Sequence, residues 1–139
     1  MPIDNKDVIS RFLESLGKGD IEGIDQVISP DIKAVAKGTG TFSITRGHDE
    51  VLEAAGMLKH AIPEGIRFDI VSLISEGNRV VAEVEGHSRL ADGTEYNNCY
   101  AFVATVEGGR IVHMNEYYCT KLTEDLMVPF AARMAQAAG

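Results

Sequence analysis

The stretch EYNNCYAFVATVEGGRIVHMNEYYC, Glu95 to Cys119, reads as two β-strands joined through Gly108 and Gly109. Among its apolar residues stand Asn98, Tyr100, Glu116 and Tyr118, groups that cost free energy when buried without partners. They either face solvent or line a pocket, and the register of the hairpin decides which. Strand alternation puts Tyr96, Asn98, Tyr100, Phe102 and Ala104 on one face of the first strand. On the return strand it separates Val112, Met114, Glu116 and Tyr118 from Ile111, His113, Asn115, Tyr117 and Cys119. A two-residue Gly-Gly turn would bring Asn98 and Tyr100 to the face of Asn115 and Tyr117. A three-residue turn with a glycine bulge would bring them to the face of Glu116 and Tyr118.

Upstream of this hairpin the pattern also alternates. Ile66, Phe68 and Ile70 open a strand, EGN at 76–78 turns it, Val80 to Leu90 returns, and ADG at 91–93 turns again. Further upstream the period is helical. Val8, Ile9, Phe12, Leu13 and Leu16 follow an Asp4 cap, with Gly17 as the stop. Asp20 caps a short second helix carrying Ile21, Ile24, Val27 and Ile28, ended by Pro30. A strand at Ile32 to Ala36 runs into the glycine-rich KGTGTFSITRG, whose GTGTF segment lacks the following helix of a phosphate loop and reads as an edge-strand bend. A third helix starts at Gly47 with Asp49 and Glu50 in its first turn, shows Val51, Leu52, Ala55, Leu58 and Ile62 on one face, and closes at Pro63. The tail TEDLMVPFAARMAQAAG is expected to be helical from a Thr123 cap, with Pro129 as a break or restart. Three helices followed by four antiparallel strands make an α+β fold, with the helices on one face of a curved sheet. There is no repeat, low-complexity tract or linker, so one domain is expected over 1–139.

Composition narrows the function. The chain has 139 residues, 45% hydrophobic and 24% charged, the balance of a globular domain with a full core. A net charge of -8 argues against nucleic acid, whose binding rests on clustered Lys and Arg. No apolar run approaches a membrane span, and MPIDNKDVIS lacks the basic and apolar regions of a signal peptide, so a cytoplasmic protein with no membrane partner is expected. Cys99 and Cys119 lack metal spacing and are expected to be reduced. His48, His60, His87 and His113 share no ligand spacing, so neither metal nor cofactor is expected.

The element order together with TRGHDEVLEAAGML, GTEYNNCYAF and GGRIVHMNEYYCT resembles the SnoaL-like polyketide cyclase and ketosteroid isomerase-like group of the nuclear transport factor 2 (NTF2-like) superfamily, over nearly the whole chain. The resemblance implies a cone: a strongly curved sheet around a deep, mostly apolar pocket, closed by three helices of the N-terminal half and followed by a C-terminal helical tail. It also favours the bulged turn, because similar limonene epoxide hydrolases carry a pocket acid at the position matching Glu116. The inward set is then Asn98, Tyr100, Phe102, Met114, Glu116 and Tyr118, joined by Ala82, Val84, Gly86 and Ser88 of the neighbouring strand and by Leu58 of the third helix. Glu83, Glu85, His87 and Arg89 face outward, to solvent or a subunit interface, and a homodimer is expected.

The resemblance also shows what this chain lacks. The Arg-Asp pair of the epoxide hydrolases falls on Val84 and Gly86, and the general base of the ketosteroid isomerases falls near Ala36, where there is no carboxylate. Cys119 replaces an Asp common in the SnoaL-like ending. Glu116 remains as the candidate catalytic acid or base, with Asn98, Tyr100, Phe102, Met114, Tyr118, Val84 and Leu58 as candidate substrate contacts. A carboxyl in an apolar pocket has its ionised form disfavoured, which moves its pKa toward neutrality and suits proton transfer. The competing reading makes Glu116 a structural acid bonded to a tyrosine, or an interface residue, and makes Asn98 a bridge within the sheet. The function expected is binding of a small hydrophobic or carbonyl-bearing molecule with cofactor-free isomerase, cyclase, dehydratase or epoxide hydrolase-type chemistry. The alternative is a non-catalytic binding or adaptor protein of the same fold.

Overall fold

The computed structural model describes residues 4–138. Its elements run α1 (Asn5–Lys18), α2 (Ile21–Val27), β1 (Ile28–Ala36), β2 (Thr45–Arg46), α3 (His48–Ala61), β3 (Arg67–Glu76), β4 (Arg79–His87), β5 (Cys99–Glu107), β6 (Arg110–Tyr118), α4 (Thr120–Leu122), a π-helical stretch (Thr123–Met127) and α5 (Val128–Ala138). The six strands form one curved sheet in the order β2-β1-β6-β5-β4-β3, antiparallel throughout except where β1 runs parallel to β6. This is the expected α+β arrangement of a curved sheet with helices in the N-terminal half and a helical C-terminus. Among the described residues, no helix is long and apolar enough to cross a membrane.

Helix α1 begins at Asp4, whose carboxylate accepts from the Lys6 amide, and α2 at Asp20, which accepts from Gly23. Two stop signals are displaced from their expected places. Gly17 lies inside α1, and the helix ends on Gly19, which takes the left-handed conformation at φ 69°. Pro30 does not end α2, which stops at Val27. It lies in β1, within the irregular stretch between the pairs Ile28–Ile111 and Lys33–His113, where its missing N–H breaks no ladder bond.

Gly17 is needed inside α1 for contact. Its carbonyl accepts from the Ile66 amide at 2.9 Å, and a Cβ at this position would meet the Ile66 carbonyl oxygen at 2.3 Å. The helix backbone therefore rests directly on the entry to β3. Above that point Val8, Ile9, Phe12 and Leu13 of α1 join Val80, Ala82 and Val84 of β4 and Phe102 and Ala104 of β5 in the main core, with Phe12 edge-on to Phe102.

The register of β5 and β6 is set differently from either expected turn. The loop has two residues, Gly108 and Gly109, both with positive φ, and pairs Glu107 with Arg110 and Val106 with Ile111. The next pair is Thr105 with His113, so Val112 is one residue too many and forms a β-bulge. The bulge moves Glu116 opposite Phe102 and Tyr118 opposite Tyr100. Without it those positions would face Asn115 and Tyr117. The faces coincide as the bulged alternative required, but the extra residue is in the strand and not in the turn.

The C-terminal segment also differs from expectation. Helix starts at Thr120, and Thr123 is a buried residue within the π-helical stretch, not a cap. Met127 and Phe130 pack with Ile62, Leu90 and Tyr96 in a second core cluster, which Leu58 and Phe42 flank. At the other end of α3, His48 stands between Asp25 at 2.6 Å and Asp49 at 2.8 Å, and both carboxylates hold its pKa above the usual histidine value.

Gly17→Ala is expected to destabilise the protein even though alanine is worth about 1 kcal/mol over glycine in a free helix. The added methyl has backbone in its way, and overpacking of this kind costs roughly 1–3 kcal/mol before any relaxation. Urea denaturation showing an unchanged or higher midpoint for the variant would refute the close contact.

Candidate functional site

Glu116 lies toward the C-terminal end of β6, with Phe102 of β5 on one side and Ala36 of β1 on the other. Met114 and Tyr118 precede and follow it on the same face, and Tyr100 is opposite Tyr118. The Tyr100 ring stacks on Phe102 at 5.7 Å and meets Phe68 edge-on at 5.6 Å. Gly86 on β4 makes room for that ring, since a Cβ there would come within 2.9 Å of it.

The carboxyl of Glu116 has no hydrogen-bond or ion-pair partner among the described residues, and neither do the hydroxyls of Tyr100 and Tyr118. No buried polar side-chain atom among the described residues is left without a partner. The unpaired oxygens of Glu116 therefore keep accessible surface, although the residue lies deep in the protein. Those oxygens are thereby open to a partner from outside the protein. Burial pushes the Glu116 pKa up to about 7, against the opposing pull of the Arg46 guanidinium. Burial first, and the charges of Tyr96 and Glu116 after it, hold the Tyr100 pKa well above the ordinary tyrosine value. At neutral pH the tyrosine is a neutral hydrogen-bond donor, while Glu116 is poised between acid and base.

Arg46 was not among the residues singled out from the sequence. It pairs with Ala34, which pairs in turn with Met114, so it projects over the same face as Glu116 from the two-residue strand β2. Nothing local marks it, because a two-residue strand has no period and its partner is set by tertiary structure.

The other candidates occupy different surroundings. Val84 and Phe102 are fully buried in the main core and Met114 nearly so, which leaves them almost no surface for a ligand. Leu58 is half-buried against the second cluster. Asn98 has all its hydrogen-bonding capacity committed within the protein. Its amide nitrogen lies within 3.1–3.2 Å of the Tyr96 hydroxyl, the Thr123 hydroxyl and the Cys119 carbonyl. Its side-chain oxygen accepts from the amides of both Cys99 and Cys119. Tyr96 and Thr123 complete the group with a 2.7 Å contact between their hydroxyls. These bonds correspond to the bridging reading of Asn98, with the C-terminal segment as the far side of the bridge. Among the described residues, no three His, Cys, Asp or Glu side chains group as metal ligands would.

A family model of the SnoaL-like domain matches residues 9–114. An NTF2-like protein of unknown function from Burkholderia pseudomallei superposes with a TM-score of 0.76 at 21% identity, over 89% of this chain and 98% of that one. IdmH of Streptomyces antibioticus, a proposed polyketide cyclase, gives 0.73 at 17% identity, over 88% and 98%. An epoxide hydrolase of Mycobacterium tuberculosis, similar to limonene epoxide hydrolase, gives 0.71 at 16% identity, over 95% and 96%. At these identities the three structures are similar in fold.

The raised pKa of Glu116 has a consequence for stability. The folded protein holds this proton more tightly than the unfolded chain, so the stabilisation is complete below the ordinary value of 4.5 and is lost as pH rises through about 7. Glu116→Gln is expected to flatten this loss, gaining on the wild type by up to about 3 kcal/mol between pH 4.5 and pH 8.5, less whatever solvent contact screens. Denaturant titrations at both pH values, showing parallel changes in the two proteins, would contradict a raised pKa.

Proposed function

The chain belongs to the SnoaL-like domain family, and we propose that it is a cofactor-free acid/base enzyme acting on a small, largely apolar, carbonyl-bearing molecule. The observation that carries this reading is the unpaired, deeply set carboxyl of Glu116 with a pKa of about 7. In its ionised form Glu116 takes a proton from a carbon next to the ligand's carbonyl, and the electrons of that C–H bond move toward the carbonyl oxygen. A tyrosine hydroxyl at Tyr100 or Tyr118 donates a hydrogen bond to the oxyanion that develops there. Protonated Glu116 then returns its proton to another carbon, completing an isomerisation, or to a departing hydroxyl, completing a dehydration. In a cyclisation the same enolate attacks a second carbonyl within the ligand.

The rival reading is a binding protein that performs no chemistry. It draws support from Val84, Gly86 and Ala36, which stand where related enzymes carry charged catalytic side chains. One experiment separates the two readings. With 2-tetralone as probe in deuterated buffer, the wild type is expected to accelerate α-proton exchange, with a rate that rises to a plateau above about pH 7. Glu116→Gln is expected to lower that rate by roughly 10²–10⁴-fold, the usual worth of a general base, while probe affinity stays within a few fold. Exchange at the wild-type rate in the variant would move the chemistry elsewhere, and binding without exchange in the wild type would favour the binding protein.

We also propose that the protein is a homodimer through the outer face of the sheet. Ile74, Val81, Val103, Asn115 and Val35 follow one another across five strands on that face, and Ile74 and Tyr117 are exposed. Around this mostly apolar row stand Glu83 and Glu85 on one side and Lys33 and His113 on the other, a self-complementary arrangement for two copies related by a two-fold axis. Light scattering is expected to give twice the 15.0 kDa of the chain, and Val103→Glu to give the single mass. A wild type that stays at the single mass at tens of micromolar would sink the interface.

A further inference from the structure

We propose that Arg46 makes the Glu116 recess selective for ligands with an acidic oxygen, a carboxylate or phenolate, which the guanidinium holds across the recess from Glu116. The inference rests on the reading of that recess as a ligand site, and it adds the charge of the ligand. Three observations carry it. Arg46 is only half-exposed, and no side chain among the described residues forms a hydrogen bond or ion pair with it, whereas Lys18, Arg67, Arg89, Arg110, Lys121 and Arg133 are each matched to an acceptor. It projects over the same face as Glu116 through the pairs Arg46–Ala34 and Ala34–Met114. It acts on the charge of Glu116 and yet forms no salt bridge with it. A cation and a carboxyl on one face, neither satisfied by the protein, leave between them a place for a group that pairs with the first.

The geometry also gives the ligand's charge an effect on Glu116. The Arg46 guanidinium pulls the Glu116 pKa down, against the burial that raises it. Tyr96 and Tyr100, the titratable groups of β5 and its approach, have pKa values above the ordinary tyrosine range and stay neutral, and α3 contributes Val51, Leu52 and Ala55 where it packs on the sheet. A bound anion neutralises Arg46 and removes the influence that favours ionised Glu116. The carboxyl then holds its proton to higher pH, neutral in that form and a stronger base once ionised. Anion affinity accordingly falls as pH rises through 7, because the proton must be supplied before the anion can sit there.

The test uses 2-naphthoate and its uncharged relative 2-acetylnaphthalene, read by naphthalene fluorescence, which the absence of tryptophan leaves unobscured. At pH 6 the wild type is expected to bind the carboxylate about ten-fold more tightly than the ketone, the scale of one charge-assisted hydrogen-bond pair. Arg46→Gln is expected to erase that preference while keeping ketone affinity, and Arg46→Lys to restore part of it. Glu116→Gln should keep the preference and lose its decline between pH 6 and pH 8. No preference in the wild type, or the same preference in Arg46→Gln, overturns the proposal while leaving the acid/base role of Glu116 standing. Failure of both probes to bind overturns the recess as a ligand site, and the proposal with it.

Discussion

The extra residue at Val112 is the constraint on which the surroundings of Glu116 depend. Alternation along a strand is strict, so one inserted residue reverses the face of everything beyond it. Before the bulge, Ile111 points into the core beside Val106; after it, Met114, Glu116 and Tyr118 do. The hairpin thereby changes from a pair of strands with a polar outside into one that carries a carboxyl and two phenols to the helix-covered face. The desolvation of Glu116, its near-neutral pKa and its proximity to Arg46 all follow from that reversal.

A second constraint holds the far end of the same hairpin. Asn98 lies between β5 and β6 where the ladder ends, and one side-chain oxygen serves two amides that would otherwise seek carbonyls across the strands. Its nitrogen reaches into the C-terminal segment at Thr123, and Tyr96 closes the group. The segment with Met127 and Phe130 is thus fastened by a polar junction as well as by the packing of its apolar residues. The Glu124 carboxylate bonds to Thr41, so the glycine-rich loop before β2 is tied to the same segment. Through β2 that loop leads to Arg46, so the C-terminal segment and the strand that carries the guanidinium belong to one connected set of contacts.

The parts of this fold that were legible in the sequence are those in which a local pattern carries the information. The apolar spacing of Val8 to Leu16 and of Val51 to Ile62 gives two helices, the Asp4 and Asp20 caps give their starts, and alternation between turn residues gives the four antiparallel strands. The features that escaped depend on residues far away in the chain. Gly17 looks like a helix stop unless Ile66 is known to press on it. Thr123 looks like a cap unless Tyr96 and Asn98 are known to be beside it. Glu116 was visible because a charged side chain interrupts an apolar strand. Arg46 was invisible because an arginine before a helix is unremarkable until β1 is placed next to it.

The contact between Gly17 and Ile66 has a further consequence for how the sequence can vary. Because a main-chain hydrogen bond and the bare backbone of a glycine dock α1 on the sheet, the seat of the helix is fixed without reference to any side chain. Phe12, Leu13 and their neighbours fill a gap whose width is already set, so related sequences are free to exchange volume among these positions while the helix stays where it is. Exchange of volume in the core is therefore absorbed locally, without displacing the carboxyl on β6.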